Sequence, residues 1–363
     1  MLQTLRSEDE LEPWLDDWRR LAGGIPFRQP EWLLPWFRNF ANESMELHVT
    51  IATDDEGRLR ALVPLYFDRL SQSLRLLGDG HVCSDYTGFL LDEHYLEGNL
   101  VTLVVDYLLD DATDVSLWKK IHFEAIDPTD RALQLLRREL TSRKANLLES
   151  NPANTWAVDL GDGWSNFLAS VSKNSRKTFR KRAEELVNVR VRWVSDFRDF
   201  EEFFPILMDL HQRRRQSVGD AGCFADDRFG RFLREVALGL IARNQLQAFT
   251  LWLDEVPIAA EIGFRSRNRW FCYQSGIDPD YLEHEPGKLA NVFILRDAEK
   301  FGIQYVDFLR GDEPYKQLLK ANPTPVHDWI FTRANFDGVA RHLWMSSRDK
   351  VKHLAKQVIR RAR

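Results

Sequence analysis

No part of the chain restricts its fold more than RWFCYQSGIDPDYLEHEPGKLANVFILRDAEKFGIQYVDFLRGDEPYK, residues 269–316. Trp270, Phe271, Cys272 and Tyr273 have the aromatic content of a strand, closed by Ser275, Gly276, Asp278 and Pro279. Pro286 suits the first turn of a helix, and Leu289, Val292, Phe293, Leu295, Ala298 and Phe301 cover most of its circumference until Gly302 stops it. Residues 305–309, YVDFL, then read as a second strand, which a right-handed crossover lays parallel to the first. Ligands of such units sit beyond the carboxyl ends of the strands. Ser275, Asp278, Arg310, Asp312, Tyr315 and Lys316 fall there, and the helix N-terminus at Pro286 and Gly287 presents backbone donors to the same space. An anion-binding, group-transferring site is the expectation.

PGKLA, a helix, and then YVDFLRGDEPYK together resemble the C-terminal half of a GNAT-type acyltransferase. The resemblance runs from about Phe27 to Arg333 and is narrowest to the cellulose-biosynthesis-associated acetyltransferases, relatives of the Fem-type aminoacyl transferases. It implies an α/β protein of tandem GNAT-like domains, each a mixed, mostly antiparallel sheet flanked by helices. Residues 1–160 would be a degenerate domain that walls the acceptor groove, with His81, Asp85 and Tyr86 as residues able to face it. Residues 161–335 would be the active domain, followed by a basic tail, 336–363. The implied reaction moves an acyl group from a thioester, with acyl-CoA (acetyl-CoA) as co-substrate, to an amine or hydroxyl of a polysaccharide, a cell-envelope precursor or a related small molecule. In the Fem-type relatives a lysine at the position of Lys316 contacts the reacting end of the donor, which implies an ammonium that stabilises developing charge.

One departure keeps the donor open. GNAT enzymes hold the coenzyme A pyrophosphate with a glycine-rich loop, whereas this chain has EHEPGK, where Glu283 and Glu285 oppose phosphate and Lys288 offsets them in part. Aminoacyl-tRNA and acyl-carrier protein are therefore alternative donors, and a non-catalytic binding protein on the same fold is the alternative function. Donor-side candidates are Tyr273, Ser275, Gly276, Pro286, Gly287 and Lys288.

Acyl transfer to an amine needs a base and a group that meets the oxyanion. Glu261, inside the otherwise apolar IAAEIGF, is a candidate base because a carboxylate there is costly to bury without purpose, although an arginine partner would also explain it. Asp307 and Asp312 are further candidates; His211 is a possible proton relay, and Tyr273 and Tyr315 possible hydrogen-bond donors.

The composition, with 44% hydrophobic residues, 12 Trp and 23 Phe, supplies ample cores. A net charge of −5 excludes a generally basic nucleic-acid binder, so no DNA partner is expected. The charge is uneven: residues 341–363 hold eight Lys and Arg against one acid, and their apolar stripe, Val351, Leu354, Ala355 and Val358, suggests a peripheral contact with anionic lipid. The first residues have early acids and no apolar core, and no run approaches a membrane span, which points to the cytoplasm. Cys83, Cys223 and Cys272 are too few and scattered for a zinc site, and no metal is expected; Cys223 is the best placed for a catalytic thiol, but a small packing residue is the simpler reading. A helix over residues 164–187 aligns Lys173, Arg176, Lys177, Arg180 and Lys181, a face that is either merely solvated or holds an anionic partner.

Overall fold

The computed structural model describes residues 1–95, 99–110, 118–161 and 163–333; the basic tail and the side chain of His81 lie outside the described part. The first half runs β1 (Leu2–Leu5), α1 (Glu8–Leu11), α2 (Leu15–Leu21), α3 (Pro30–Phe40), β2 (Met45–Thr53), β3 (Leu59–Asp68), β4 (Ser73–Leu76), β5 (Leu90–Leu91), α4 (Leu100–Leu109), β6 (Lys120–Ile126), α5 (Arg131–Ser142) and β7 (Asn146–Asp159). The second half continues with α6 (Trp164–Ser170), α7 (Lys173–Glu185), β8 (Arg190–Trp193), α8 (Phe197–Ser217), α9 (Asp227–Ile241), β9 (Leu246–Leu253), β10 (Val256–Ser266), β11 (Arg269–Ile277), α10 (Pro286–Asp297), β12 (Tyr305–Arg310), α11 (Pro314–Leu318) and β13 (Asn322–Thr332).

The fold class matches the expectation: a mixed, mostly antiparallel sheet flanked by helices. Its two halves repeat one plan. β1-β2-β3-β4-β6 in the first and β8-β9-β10-β11-β12 in the second each end on a parallel pair, β4 with β6 and β11 with β12, joined by a helical crossover. The halves are not separate sheets, however. β7 leaves the first half to pair with β12, while β13 returns from the second to pair with β6, and β7 and β13 pair with each other. Each half thus supplies the strand that flanks the other's parallel pair, and the sheet is continuous from β1 to β8.

The core follows from this plan. Trp18, Phe27 and Trp32 of the first half bury against Phe200, Phe232, Phe264 and Phe271 of the second, in one apolar cluster. Each such ring contributes about 1.5–3 kcal/mol by burial. Trp32 makes 4.8 Å and 5.0 Å edge contacts with Phe27 and Phe232, and its Nε1 donates to the buried Ser84 Oγ at 2.7 Å. Most of the aromatic load is thereby spent on packing.

Two helical stretches, one of them the expected helix over residues 164–187, are divided. Residues 8–21 become α1, a 3-10 turn beginning at Glu12 with Pro13 in it, and α2, because proline supplies no amide for the ladder. Residues 164–187 divide at Val171, after which Ser172 caps α7 by accepting from the Ser175 amide at 3.2 Å.

Candidate active site

β11 and β12 align only over Arg269–Tyr305, Trp270–Val306 and Phe271–Asp307, and then part. β4 and β6 likewise align over three pairs. In the first half a polar network lies beyond these pairs: Asp79 pairs with Arg75 and accepts from Tyr66 Oη at 3.0 Å, while Arg75 reaches Glu124 on β6 at 3.8 Å. In the second half a cavity of about 770 Å³ lies at the parting strands. Glu261 of β10, the end of β11, His211 of α8, the first turn of α10, and Tyr315 and Lys316 beyond β12 line it, and the first half contributes Val82, Cys83 and Asp85.

All six donor-side candidates line this cavity, as do Glu261, His211, Tyr315 and Lys316. Asp307 and Asp312 do not. Asp307 is fully buried, where its Oδ2 accepts from Tyr86 Oη at 2.7 Å and Arg269 Nη1 at 2.8 Å and its Oδ1 from the Leu309 amide at 2.9 Å. Burial raises its proton affinity, and Tyr86 and Arg269 oppose the shift. It ties a first-half loop to β12. Asp312 accepts from Asn154 Nδ2 at 3.1 Å and Trp156 Nε1 at 3.2 Å, so it ties the loop after β12 to β7. Both residues are polar groups near the strand end, yet Tyr86, Asn154 and Trp156, which hold them, come from segments more than 150 residues away.

Glu261 is 6% exposed and has neither a hydrogen bond nor an ion pair among the described residues. Burial alone pushes its carboxyl well above the usual range. The arginine partner that would have given it a structural role is absent among those residues. Tyr315, 38% exposed, shares the cavity, and its phenol is raised first by burial and then by the field of Glu261.

Lys316 differs from the free ammonium that the sequence suggests. It is 2% exposed, and its Nζ donates to the carbonyls of Leu309, Arg310 and Gly311, each at 3.1 Å, with Glu313 at 2.9 Å. Its three hydrogens thus close the turn after β12, where Leu309 takes φ +56° and Gly311 φ +120°.

His211 is buried with Nδ1 2.9 Å from the Ser275 carbonyl and Nε2 3.3 Å from Cys223 Sγ. Tyr273 Oη donates to the Val82 carbonyl at 2.8 Å and so fixes the first-half loop over the cavity. Gly276 is a packing residue: a Cβ there would meet the His211 amide nitrogen at 2.4 Å. Gly276→Ala is expected to force α8 off β11 and to lower stability by about 1–3 kcal/mol, read as a lowered denaturation midpoint.

At the first turn of α10, Pro286 has no amide, and the amides of Lys288 and Leu289 donate to the Glu285 carbonyl at 2.9 Å and 3.1 Å. Gly287 is left with the available amide. The expected repulsion by Glu285 is met by two cations, since its carboxylate pairs with both Arg182 and Lys288. In the 213–215 arginine run, Arg213 is taken by Asp278 and Asp280, whereas Arg214 lines the cavity with no partner among the described residues. On α7, Arg176 turns back to the carbonyls of Leu168, Ala169 and Val171 and Lys181 lies 3.8 Å from Glu185, leaving Lys173, Lys177 and Arg180 exposed. Asp85 pairs with Arg310 at 2.9 Å, and burial pushes its carboxyl up to about 7.

Residues 170–317 match the family model of the acetyltransferase (GNAT) domain. Comparison with curated protein sequences gives no match. Among solved structures the chain is similar to FemX, with a TM-score of 0.63 at 10% identity over 88% of this chain and 96% of that one. It is also similar to the C-terminal domain of a putative lysylphosphatidylglycerol synthetase from Agrobacterium fabrum, with a TM-score of 0.54 at 12% identity over 92% and 96%. L-PGS from Bacillus licheniformis gives 0.53 at 12% identity over 94% and 96%. At these identities the likeness is one of fold. Among the described residues no helix is long and apolar enough to cross a membrane. The segment that matches this family model supplies most of the cavity wall, from His211 to Lys316.

Proposed function

We propose that the chain transfers an acyl group from acetyl-CoA or a related acyl-CoA to an amine of a polysaccharide or cell-envelope precursor, with Glu261 as the base. The observation that carries this reading is the buried carboxyl of Glu261, without a partner among the described residues, in the cavity between the parting strands. An alkylammonium entering from water meets that carboxyl in a medium that penalises both charges. Transfer of one proton from nitrogen to carboxylate removes both penalties, so burial itself favours the neutral, nucleophilic amine. Beyond Phe271 and Asp307, β11 and β12 no longer pair with each other, and the space that opens between them would admit the acyl end of a donor. Arg214 and the Gly287 amide supply positive charge and a donor for the anionic end of such a donor molecule.

A second reading, an aminoacyl-tRNA or acyl-carrier-protein donor, is favoured by one feature: the first turn of α10 leaves a single amide available, against the several that a glycine-rich loop offers a pyrophosphate. The exposed Lys173, Lys177 and Arg180 on α7 would then receive the polyanionic carrier. The two readings separate in a thermal-shift measurement. Acetyl-CoA at about a hundred times its Kd is expected to stabilise the protein by about 2.7 kcal/mol. No shift with any acyl-CoA, together with a shift by charged tRNA or acyl-carrier protein, would replace the first reading by the second.

A further inference from the structure

We propose that Cys223 is an acyl-accepting nucleophile with His211 as its base, so that transfer passes through a thioester on this chain. The inference rests on the acyltransferase reading of the cavity. Cys223 opens the short 3-10 turn Cys223–Ala225 and lines the cavity, with its Sγ 3.3 Å from His211 Nε2. The tautomer follows from the other ring nitrogen. Nδ1 lies 2.9 Å from the Ser275 carbonyl, which can only accept, so Nδ1 carries the hydrogen and Nε2 presents its lone pair to the thiol. Burial lowers the proton affinity of His211, which leaves the ring neutral and free to take a proton. Phe224 meets the ring edge-on at 5.2 Å and 86° and holds its orientation.

The sulfur is also supplied with groups that favour negative charge. Gln274 Nε2 donates to Sγ at 3.3 Å, and the amides of Cys223 and Phe224 and the charge of Arg215 act in the same direction. Burial outweighs them and pushes the thiol up to about 12, so resting Cys223 holds its proton and gives it up only as bond formation begins. A packing cysteine has no use for an oriented base and two kinds of N–H donor. Glu261, more than nine-tenths buried and without a partner among the described residues, lines the same cavity, which thus holds both a nucleophile and a base for the acceptor.

The step balances without an added oxidant or reductant. Cys223 Sγ attacks the thioester carbonyl carbon while Nε2 takes the thiol proton. The carbon–sulfur bond of the donor breaks, and its thiolate leaves with the proton returned from Nε2. The acceptor amine, freed of one proton by Glu261, then attacks the acyl-Cys223 carbonyl, and its surplus proton passes through His211 to the departing sulfur.

The test is to incubate the full chain with acetyl-CoA, and separately with the nucleotide-free thioester S-acetyl-N-acetylcysteamine, without acceptor, and to map acetyl groups by mass spectrometry. One acetyl group is expected on Cys223, removable by neutral hydroxylamine. His211→Ala is expected to slow that acetylation by about a hundredfold, with an unchanged thermal shift by acetyl-CoA reporting that the cavity is intact. A thermal shift by acetyl-CoA without acetyl on Cys223, or with acetyl only on Cys83, Cys272 or lysines, overturns the thioester step and leaves direct transfer standing. Neither shift nor acetylation with either thioester overturns the step and the acyl-CoA reading together.

Discussion

Glu261→Gln is expected to reduce kcat/KM for acyl transfer by about a hundredfold to ten-thousandfold, the range spanned by removal of a positioned base. The substitution keeps the shape and hydrogen-bonding capacity of the protonated side chain, so it removes proton transfer and little else. Because burial raises the Glu261 carboxyl, the wild-type activity should fall on its acid side at a pH above the ordinary glutamate range, and that limb should be missing from the residual activity of the variant. Activity of Glu261→Gln within a few-fold of wild type across the profile would remove Glu261 from the chemistry.

The same group makes a prediction about stability whose sign is opposite to that of a paired carboxylate. In the native state Glu261 holds its proton to higher pH than in the unfolded chain, so its contribution is fully present below the unfolded value and is lost as pH rises towards the folded one. Glutamine cannot ionise and loses nothing. The melting temperature of Glu261→Gln should therefore gain on that of wild type from about pH 5 upwards. A difference that is flat with pH would mean that Glu261 is solvated in solution.

Much of this site could be read along the chain because its decisive features are local. The strand, helix and strand of residues 269–316 follow from aromatic content, Pro286 and Gly302, and a parallel crossover brings Tyr273, Ser275, Gly287 and Tyr315 to one end of the sheet. A lone acid in an apolar strand marks Glu261. The exchange of β7 and β13 could not be read, since pairing of Asn146 with Thr332 or of Thr155 with Arg310 leaves no periodicity in either segment. The same holds for Asp307, whose claim on Tyr86 spans 221 residues. Cys223 and His211 are separated by a glycine-bearing loop and a helix end, and only the fold gives their nitrogen and sulfur a shared hydrogen bond. Where function depends on one element the sequence carries it, and where it depends on two distant ones the residue types alone cannot separate a tie from a reagent.

Lys316 puts that distinction to a measurement. Lys316→Met should lower stability by about 3 kcal/mol or more, because it leaves the buried Leu309 carbonyl and those of Arg310 and Gly311 without their charged donor. The ion pair with Glu313 adds little, since that carboxylate is 54% exposed. Lys320, which is exposed, is the control, and Lys320→Met should stay within about 0.5 kcal/mol of wild type. The turn closed by Lys316 includes Arg310, which pairs with Asp85 on the cavity wall, so turnover should fall along with stability in the Met variant. Denaturant unfolding and steady-state kinetics on both variants separate the two roles open to the ammonium. A denaturation midpoint lowered only in Lys316→Met assigns it to the turn, whereas an unchanged midpoint with a hundredfold loss of turnover would mean that it leaves the three carbonyls to act on the substrate.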